Sequence, residues 1–244
     1  MNQAWIVAVD MGYGHQRAAY PLRNLSPTGK VILANNYEGI PKHDQQLWTN
    51  SRKIYELISR FKNVPIVGDR VFDLMDYWQK IPDFYPRRDL SKPNIQLRAI
   101  YKWLRKKKWG KNLIDFLSRK NGHKPFVSTF FIPAFMAEEH GYMGEIYCVI
   151  CDADCSRTWA PLDPRKSRIK YFAPCRRVVE RLQLYGVKKE NIFLTGFPLP
   201  KENLGGKNLK LLKKDLVQRV LNLDPCGHYR QKYRGVIQQF LKNQ

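Results

Sequence analysis

Four residues near the N-terminus have the types and spacing to hold and act on a ligand: Gly12, Tyr13, Gly14 and His15. Glycines let a backbone come close to a ligand, and a helix that follows offers unpaired N–H groups and positive potential. A histidine there can take or give a proton near neutral pH. The alternative is a tight turn whose histidine caps or packs. A second group, Cys151-Asp152-Ala153-Asp154-Cys155-Ser156-Arg157-Thr158-Trp159, sets two carboxylates after an apolar run. They could serve acid–base chemistry or hold a cation, or simply form a solvated turn. A third, Thr195-Gly196-Phe197-Pro198, closes another apolar run. Its glycine allows close approach and its prolyl exit is stiff; the alternative is a strand end running into a linker.

Two further groups bear on partners. Cys148, Cys151 and Cys155, with His140 nearby, have some of the spacing of zinc ligands. Cys148 and Cys151 differ by three within an expected strand, so they point to opposite faces. Structural zinc needs four converging ligands, and inert buried thiols are the better reading. The stretch 98–124 is strongly basic and carries interleaved Trp and Leu, including Trp103, Arg105, Lys106, Lys107, Lys108 and Trp109. Either it lies on an anionic membrane surface, or its apolar side packs on the sheet and its charges are solvated. Across the chain 43 Lys and Arg face 21 Asp and Glu, a net charge of +22. That balance calls for an anionic partner: nucleic acid, an anionic membrane, or a phosphorylated small molecule. Nucleic acid is disfavoured because no recognised nucleic-acid module accompanies the charge.

The elements that must position these groups follow from the apolar pattern. Ala4–Val9 reads as a strand buried on both faces, and Gln16–Leu25 as a helix. Lys30–Ala34 is a second strand, making a βαβ unit. Helical spacing then dominates about 43–124, in stripes such as Leu47, Ile54, Leu57, Ile58, Phe61 and Val71, Leu74, Met75, Trp78. Further helices are expected over about 93–106 and 109–119. Strands return at 126–131, 145–151, 168–172 and 191–194, with helices at 133–140 and 174–185. About six strands alternating with helices predict an α/β, Rossmann-like, mostly parallel sheet spanning 1–200 with a helical insertion. The remainder, 201–244, reads as helices alone. A hydrophobic content of 43% with 13% aromatics excludes a disordered chain. No apolar run reaches the ~18–20 residues needed to span a bilayer. The N-terminal stretch reads as a strand rather than a secretory leader, so a reduced, cytoplasmic setting is expected.

Together the three loop motifs resemble the N-terminal, acceptor-binding half of lipid-linked glycosyltransferases of the GT-B fold. Nearest are the monogalactosyldiacylglycerol synthase and processive diacylglycerol glucosyltransferase type, with the peptidoglycan N-acetylglucosaminyltransferase MurG more distant. The family's Gly-Gly-Gly-His-like loop corresponds to Gly12–His15, with Tyr13 at a glycine position and expected to crowd the loop. Its Thr-Asp strand end and downstream Trp correspond to Cys151-Asp152 and Trp159, and its Thr-Gly-x-Pro segment to Thr195–Pro198.

The resemblance implies hexosyl transfer from a nucleotide-sugar, UDP-linked in kind, to a lipid or lipid-linked acceptor. The reaction would run peripherally at the inner face of a membrane, with no tightly bound cofactor and no metal. His15 and Asp152 become catalytic candidates; Gly12, Tyr13, Gly14, Trp159, Thr195 and Gly196 would contact substrate or diphosphate. The family's donor-binding domain has no counterpart after Pro200, which leaves a fragment of a longer chain with a missing C-terminal domain, an enzyme whose donor domain is a separate partner protein, or a degenerate binding protein; the first two are favoured, and the chain alone should be inactive. A competing match, the Asp-x-Gly phosphate loop of actin-like ATPases through Asp10 and Gly12, requires an early antiparallel hairpin. A non-enzymatic basic protein that binds anionic membrane or nucleic acid is the alternative from another class.

Overall fold

The computed structural model describes residues 3–61 and 81–242. It divides into two compact units, Met1–Pro198 and Leu199–Gln244. The first contains a six-stranded sheet, all parallel: β1 (Trp5–Ala8), β2 (Ile32–Leu33), β3 (Phe126–Ser128), β4 (Ile146–Val149), β5 (Lys170–Ala173) and β6 (Ile192–Leu194). Their order is β2-β1-β3-β4-β5-β6. The chain therefore leaves β1 in one direction to reach β2 and is found on the other side at β3. The gap between the carboxyl ends of β1 and β3 is the switch point at which doubly wound sheets hold ligands. Because β1 and β2 run parallel, the hairpin demanded by the actin-like alternative is not formed.

Alternation along β1 explains why it is central. Trp5, Val7 and Val9 enter one core cluster, while Ala4, Ile6 and Ala8 enter a second on the opposite face. The larger cluster is roofed by α3 (Ile95–Lys107), α4 (Lys111–Asn121), α5 (Phe131–Glu139) and α6 (Arg176–Leu184), with α2 (Lys42–Phe61) contributing Trp48. The smaller is covered at β1 by Ala19 and Leu22, from α1 (Tyr13–Ala19) and the 3-10 turn Tyr20–Leu25 that continues it. The expected helix over Gln16–Leu25 thus begins earlier, at Tyr13, and tightens to 3-10 geometry where Pro21 removes a backbone donor. The stripe Val71, Leu74, Met75, Trp78 lies outside the described residues.

The basic stretch 98–124 folds against the core. Leu97, Ile100, Tyr101 and Leu104 of α3 are buried, as are Leu113, Ile114 and Leu117 of α4. Trp109, in the turn between them, is 0% exposed and packs edge-on against Trp48 at 4.7 Å. The main-chain N–H of Gly110 donates to the buried carboxylate of Asp44 (3.1 Å), which ties the turn to the start of α2. Trp109 therefore cannot meet a lipid surface, and Trp103 is half-buried against the same cluster. Arg105 is held by a bidentate pair with Glu139 (2.8 and 3.2 Å). Of the six residues read as membrane-facing, Lys106, Lys107 and Lys108 remain exposed and without an ion pair among the described residues.

The second unit holds α7 (Lys210–Leu223), α8 (His228–Lys232) and α9 (Arg234–Lys242). The single helix expected over 228–241 is broken at Tyr233, which leaves helical geometry. No strand is found among its described residues. No helix among the described residues of the chain is long and apolar enough to cross a membrane.

Candidate functional site

The loop 10–15 is pinned at its start. Asp10 exchanges two hydrogen bonds with Asn35 after β2: its N–H donates to Oδ1 (2.9 Å), and its carbonyl accepts from Nδ2 (3.2 Å). The Asp10 carboxylate accepts from Gln16 Nε2 at 2.7 Å. Gly12 then turns the chain at φ 112°, ψ 155°, a conformation reserved for glycine, and its surroundings are open. Gly14 is exposed, with no atom near its missing Cβ. Tyr13 does not crowd the loop as expected: it takes the first helical position with its ring in solvent, 82% exposed. Since the space around Gly12 is empty, Gly12→Ala carries only backbone strain. Thermal unfolding should report a loss of about 1–3 kcal/mol, and an unchanged Tm would contradict the strained-turn reading.

His15 sits in the first turn of α1, half-buried over the switch point. Its Nδ1 lies 2.9 Å from the main-chain carbonyl of Thr129, at the end of β3. A carbonyl can only accept, so the hydrogen is on Nδ1 and the lone pair on Nε2. Among the described residues Nε2 has no hydrogen-bond partner. The Thr129 hydroxyl in turn donates to the His15 carbonyl at 2.8 Å. Burial lowers the His15 pKa from its ordinary value, against the opposing pull of the Thr129 carbonyl and of the Asp152 charge. The imidazole is thus neutral at pH 7, with a free basic nitrogen.

Aromatic rings fix its other side. Phe130 lies 4.6 Å from the imidazole and Trp159 6.1 Å, between ring centroids. Trp159, 6% exposed, packs against Phe131 at 5.2 Å. It therefore packs beside the histidine and presents little surface of its own.

The two carboxylates after β4 separate in role. Asp154 accepts from Arg177 Nε (2.6 Å) and from Arg181 Nε and Nη2 (2.8 and 3.0 Å). Burial opposes its ionisation, yet these guanidiniums hold its carboxyl below the usual range. It is a packing anchor between the β4 loop and α6. Asp152 is exposed, without a hydrogen bond or ion pair among the described residues, and its charge acts on His15. It does not orient the ring; the Thr129 carbonyl does. Cys151 is half-buried, its thiol donating toward that same carbonyl at 3.4 Å, and burial pushes its pKa up to about 12. It is an unreactive neighbour of the site. Among the described residues no group of three or more His, Cys, Asp or Glu could hold a metal ion.

Thr195 and Gly196 stand apart. They follow β6, four strand positions from β1, or about 19 Å along the sheet at ~4.8 Å per strand. Thr195 N–H extends the β5 pairing through the Ala173 carbonyl (3.0 Å), and Gly196 has φ 80°. Both are exposed on the same carboxyl edge as His15 without reaching it. The sequence pattern placed Thr129 and Phe130 in a strand over 126–131, which ends at Ser128 with a helix starting at Phe131, and it gave neither them nor Asn35 a role in the site. The one available signal was the polar pair Ser128-Thr129 ending an apolar strand. Compared with known protein families, curated proteins and solved structures, the chain matches none.

Proposed function

We propose that the unit Met1–Pro198 is the acceptor-binding half of a glycosyltransferase. It would present a hydroxyl of a lipid or lipid-linked acceptor to a nucleotide-sugar, UDP-linked in kind, held by a further domain or a partner chain. The observation that supports this most is the state of His15 at the β1–β3 switch point: Nδ1–H tied to a carbonyl, Nε2 open, the ring neutral. Such a group would take the proton of an attacking hydroxyl as its oxygen bonds to the anomeric carbon of the sugar and the bond from that carbon to the diphosphate breaks, the nucleoside diphosphate leaving on the domain or chain that holds the donor. The imidazolium that results is stabilised by the Asp152 charge. The charge felt by His15 is negative, which suits a neutral hydroxyl better than a diphosphate. The His15 role therefore narrows from base or diphosphate contact to base.

Transfer of labelled sugar from UDP-glucose or UDP-galactose to dioctanoylglycerol tests this. The donor half of a diacylglycerol glucosyltransferase is added in trans. Transfer is expected only when both halves are present. Robust transfer by the 244-residue chain alone would overturn the half-enzyme reading.

Membrane contact, in this reading, rests on the three exposed lysines at the C-terminal end of α3. At about 1 kcal/mol per basic residue near an anionic surface, replacing Lys106, Lys107 and Lys108 together by alanine removes about 3 kcal/mol, or roughly 150-fold in affinity. Flotation with phosphatidylglycerol vesicles, against phosphatidylcholine vesicles and a nucleic-acid shift, reads this out. Equal binding by the triple variant would move the contact elsewhere. Tight nucleic-acid binding with no vesicle binding would favour the non-enzymatic alternative.

A further inference from the structure

The main chain and side chain of Thr129 face His15 in opposite senses. Its carbonyl accepts the Nδ1–H, and its hydroxyl donates to the His15 carbonyl. The two bonds close a ring between the end of β3 and the first turn of α1. Thr129 is itself fixed, 0% exposed, with its N–H donating to the Val7 carbonyl of β1 at 3.1 Å. One residue thus registers the two strands flanking the switch point and grips the histidine at both its main chain and its ring.

The loop needs such a grip. Gly12 and Gly14 give its backbone freedom and meet no neighbouring atoms, and no side chain caps α1. Asp10 is anchored by Asn35, and the Gln16 side chain of α1 reaches back across the glycine turn to its carboxylate. Beyond the turn, the Thr129 hydroxyl is the hydrogen bond that holds the His15 main chain to the sheet from outside its own helix. Phe130 and Trp159 confine the imidazole plane but, being apolar on the faces they present, do not choose between its two nitrogens. Cys151 offers a competing donor to the same carbonyl at 3.4 Å. The His15 N–H keeps the shorter bond, 2.9 Å, only while the helix start stays in place.

We propose that Thr129 is the positioning residue of this site: its hydroxyl holds the His15 main chain so that its own carbonyl can fix the imidazole in the Nδ1–H form. The consequence for catalysis rests on the reading of His15 as base. The tautomer does not, and it is measured without any activity.

Imidazole 15N shifts of the full chain provide the readout, with the His15 pair identified by its loss in His15→Gln. The wild-type chain should show the Nδ1–H form as the sole neutral species. Thr129→Val keeps the shape of the side chain and removes the donor, and Thr129→Ala removes it with less bulk. In either, whichever folds, the shifts should move to a mixture with the Nε2–H form in the majority, as in an unconstrained imidazole. Thr129→Ser keeps the hydroxyl and should restore the wild-type pattern. Wild-type shifts in the Val or Ala variant, or loss of the pattern in the Ser variant, would overturn the proposal. If the shifts behave as expected but His15→Gln leaves sugar transfer intact, Thr129 still positions the ring, and it is the catalytic reading that fails.

Discussion

His15→Gln is expected to lower sugar transfer by the reconstituted enzyme ~10²–10⁴-fold, the range typical of a lost general base. The acceptor should still bind, so the loss falls on kcat. Glutamine retains a donor for the Thr129 carbonyl and supplies no basic nitrogen, which separates proton transfer from loop geometry. The pH dependence has a definite sign. The ring's pKa lies below 6.5 because burial disfavours its charged form. Transfer should therefore be flat through neutrality and fall only in acid, as the ring is protonated below 6.5. The same depression links to stability: the unfolded histidine binds the proton more readily, so the contribution is complete above pH 6.5 and is lost as pH falls through the lowered folded value. A variant that retains wild-type rate, or a rate that falls on raising the pH through neutrality, removes His15 from the mechanism.

Arg157→Ala should produce the largest loss of stability among single substitutions at the site's periphery. Arg157 is 5% exposed and makes no ion pair among the described residues. Its guanidinium donates to the Ser91 carbonyl through Nε and Nη2 (2.9 and 2.7 Å), to Ala160 through Nη1 (2.7 Å) and to Pro161 through Nη2 (3.0 Å). It thereby fastens the segment before α3 to the turn Arg157–Trp159. Alanine leaves the buried carbonyls of Ala160 and Pro161 and the half-buried carbonyl of Ser91 without their donor, and a cavity beside them. Hydrogen bonds to a charged group are worth about 1.5–3 kcal/mol each. Discounting for shared geometry, the loss should be about 3–5 kcal/mol, or ~6–20 °C in Tm for a unit of this size. Arg157→Lys keeps the charge but cannot reach three carbonyls at once, and should fall between. Because the turn carries Trp159, the variant should also broaden the His15 imidazole signals. A Tm within 2–3 °C of wild type, roughly the effect of 1 kcal/mol, would show that the contacts are replaceable.

The sheet was legible because its strands are short apolar runs bounded by turn residues, and Pro174 and Gly186 frame α6 as caps do. The loop Gly12–His15 was legible for the same reason: it follows such a run directly. Spatial order was not. Nothing local in Phe126–Thr129 says that this strand lies beside β1, so Thr129 could not be paired with His15 from sequence. The carboxylates Asp152 and Asp154 look alike in sequence; only the fold brings Arg177 and Arg181 to one of them. Trp109 shows a different limit. A tryptophan next to four consecutive basic residues satisfies the pattern of an interfacial helix, yet the turn after α3 reverses the chain and carries it into the core. Charge clustering describes the exposed half of such a segment and is blind to where the other half goes.

The central claim, a general base presented to a neutral acceptor at the β1–β3 switch point, is tested most directly by titrating the 15N-labelled chain. The probes are dioctanoylglycerol in mixed micelles and, separately, UDP-glucose, while the amides of Gly12 and Gly14 and the His15 Nε2 are followed. Saturable shifts confined to these groups are expected with dioctanoylglycerol and none with UDP-glucose. Shifts at His15 with UDP-glucose instead, or a loop that stays unmoved by dioctanoylglycerol, would contradict the assignment of this site to the acceptor.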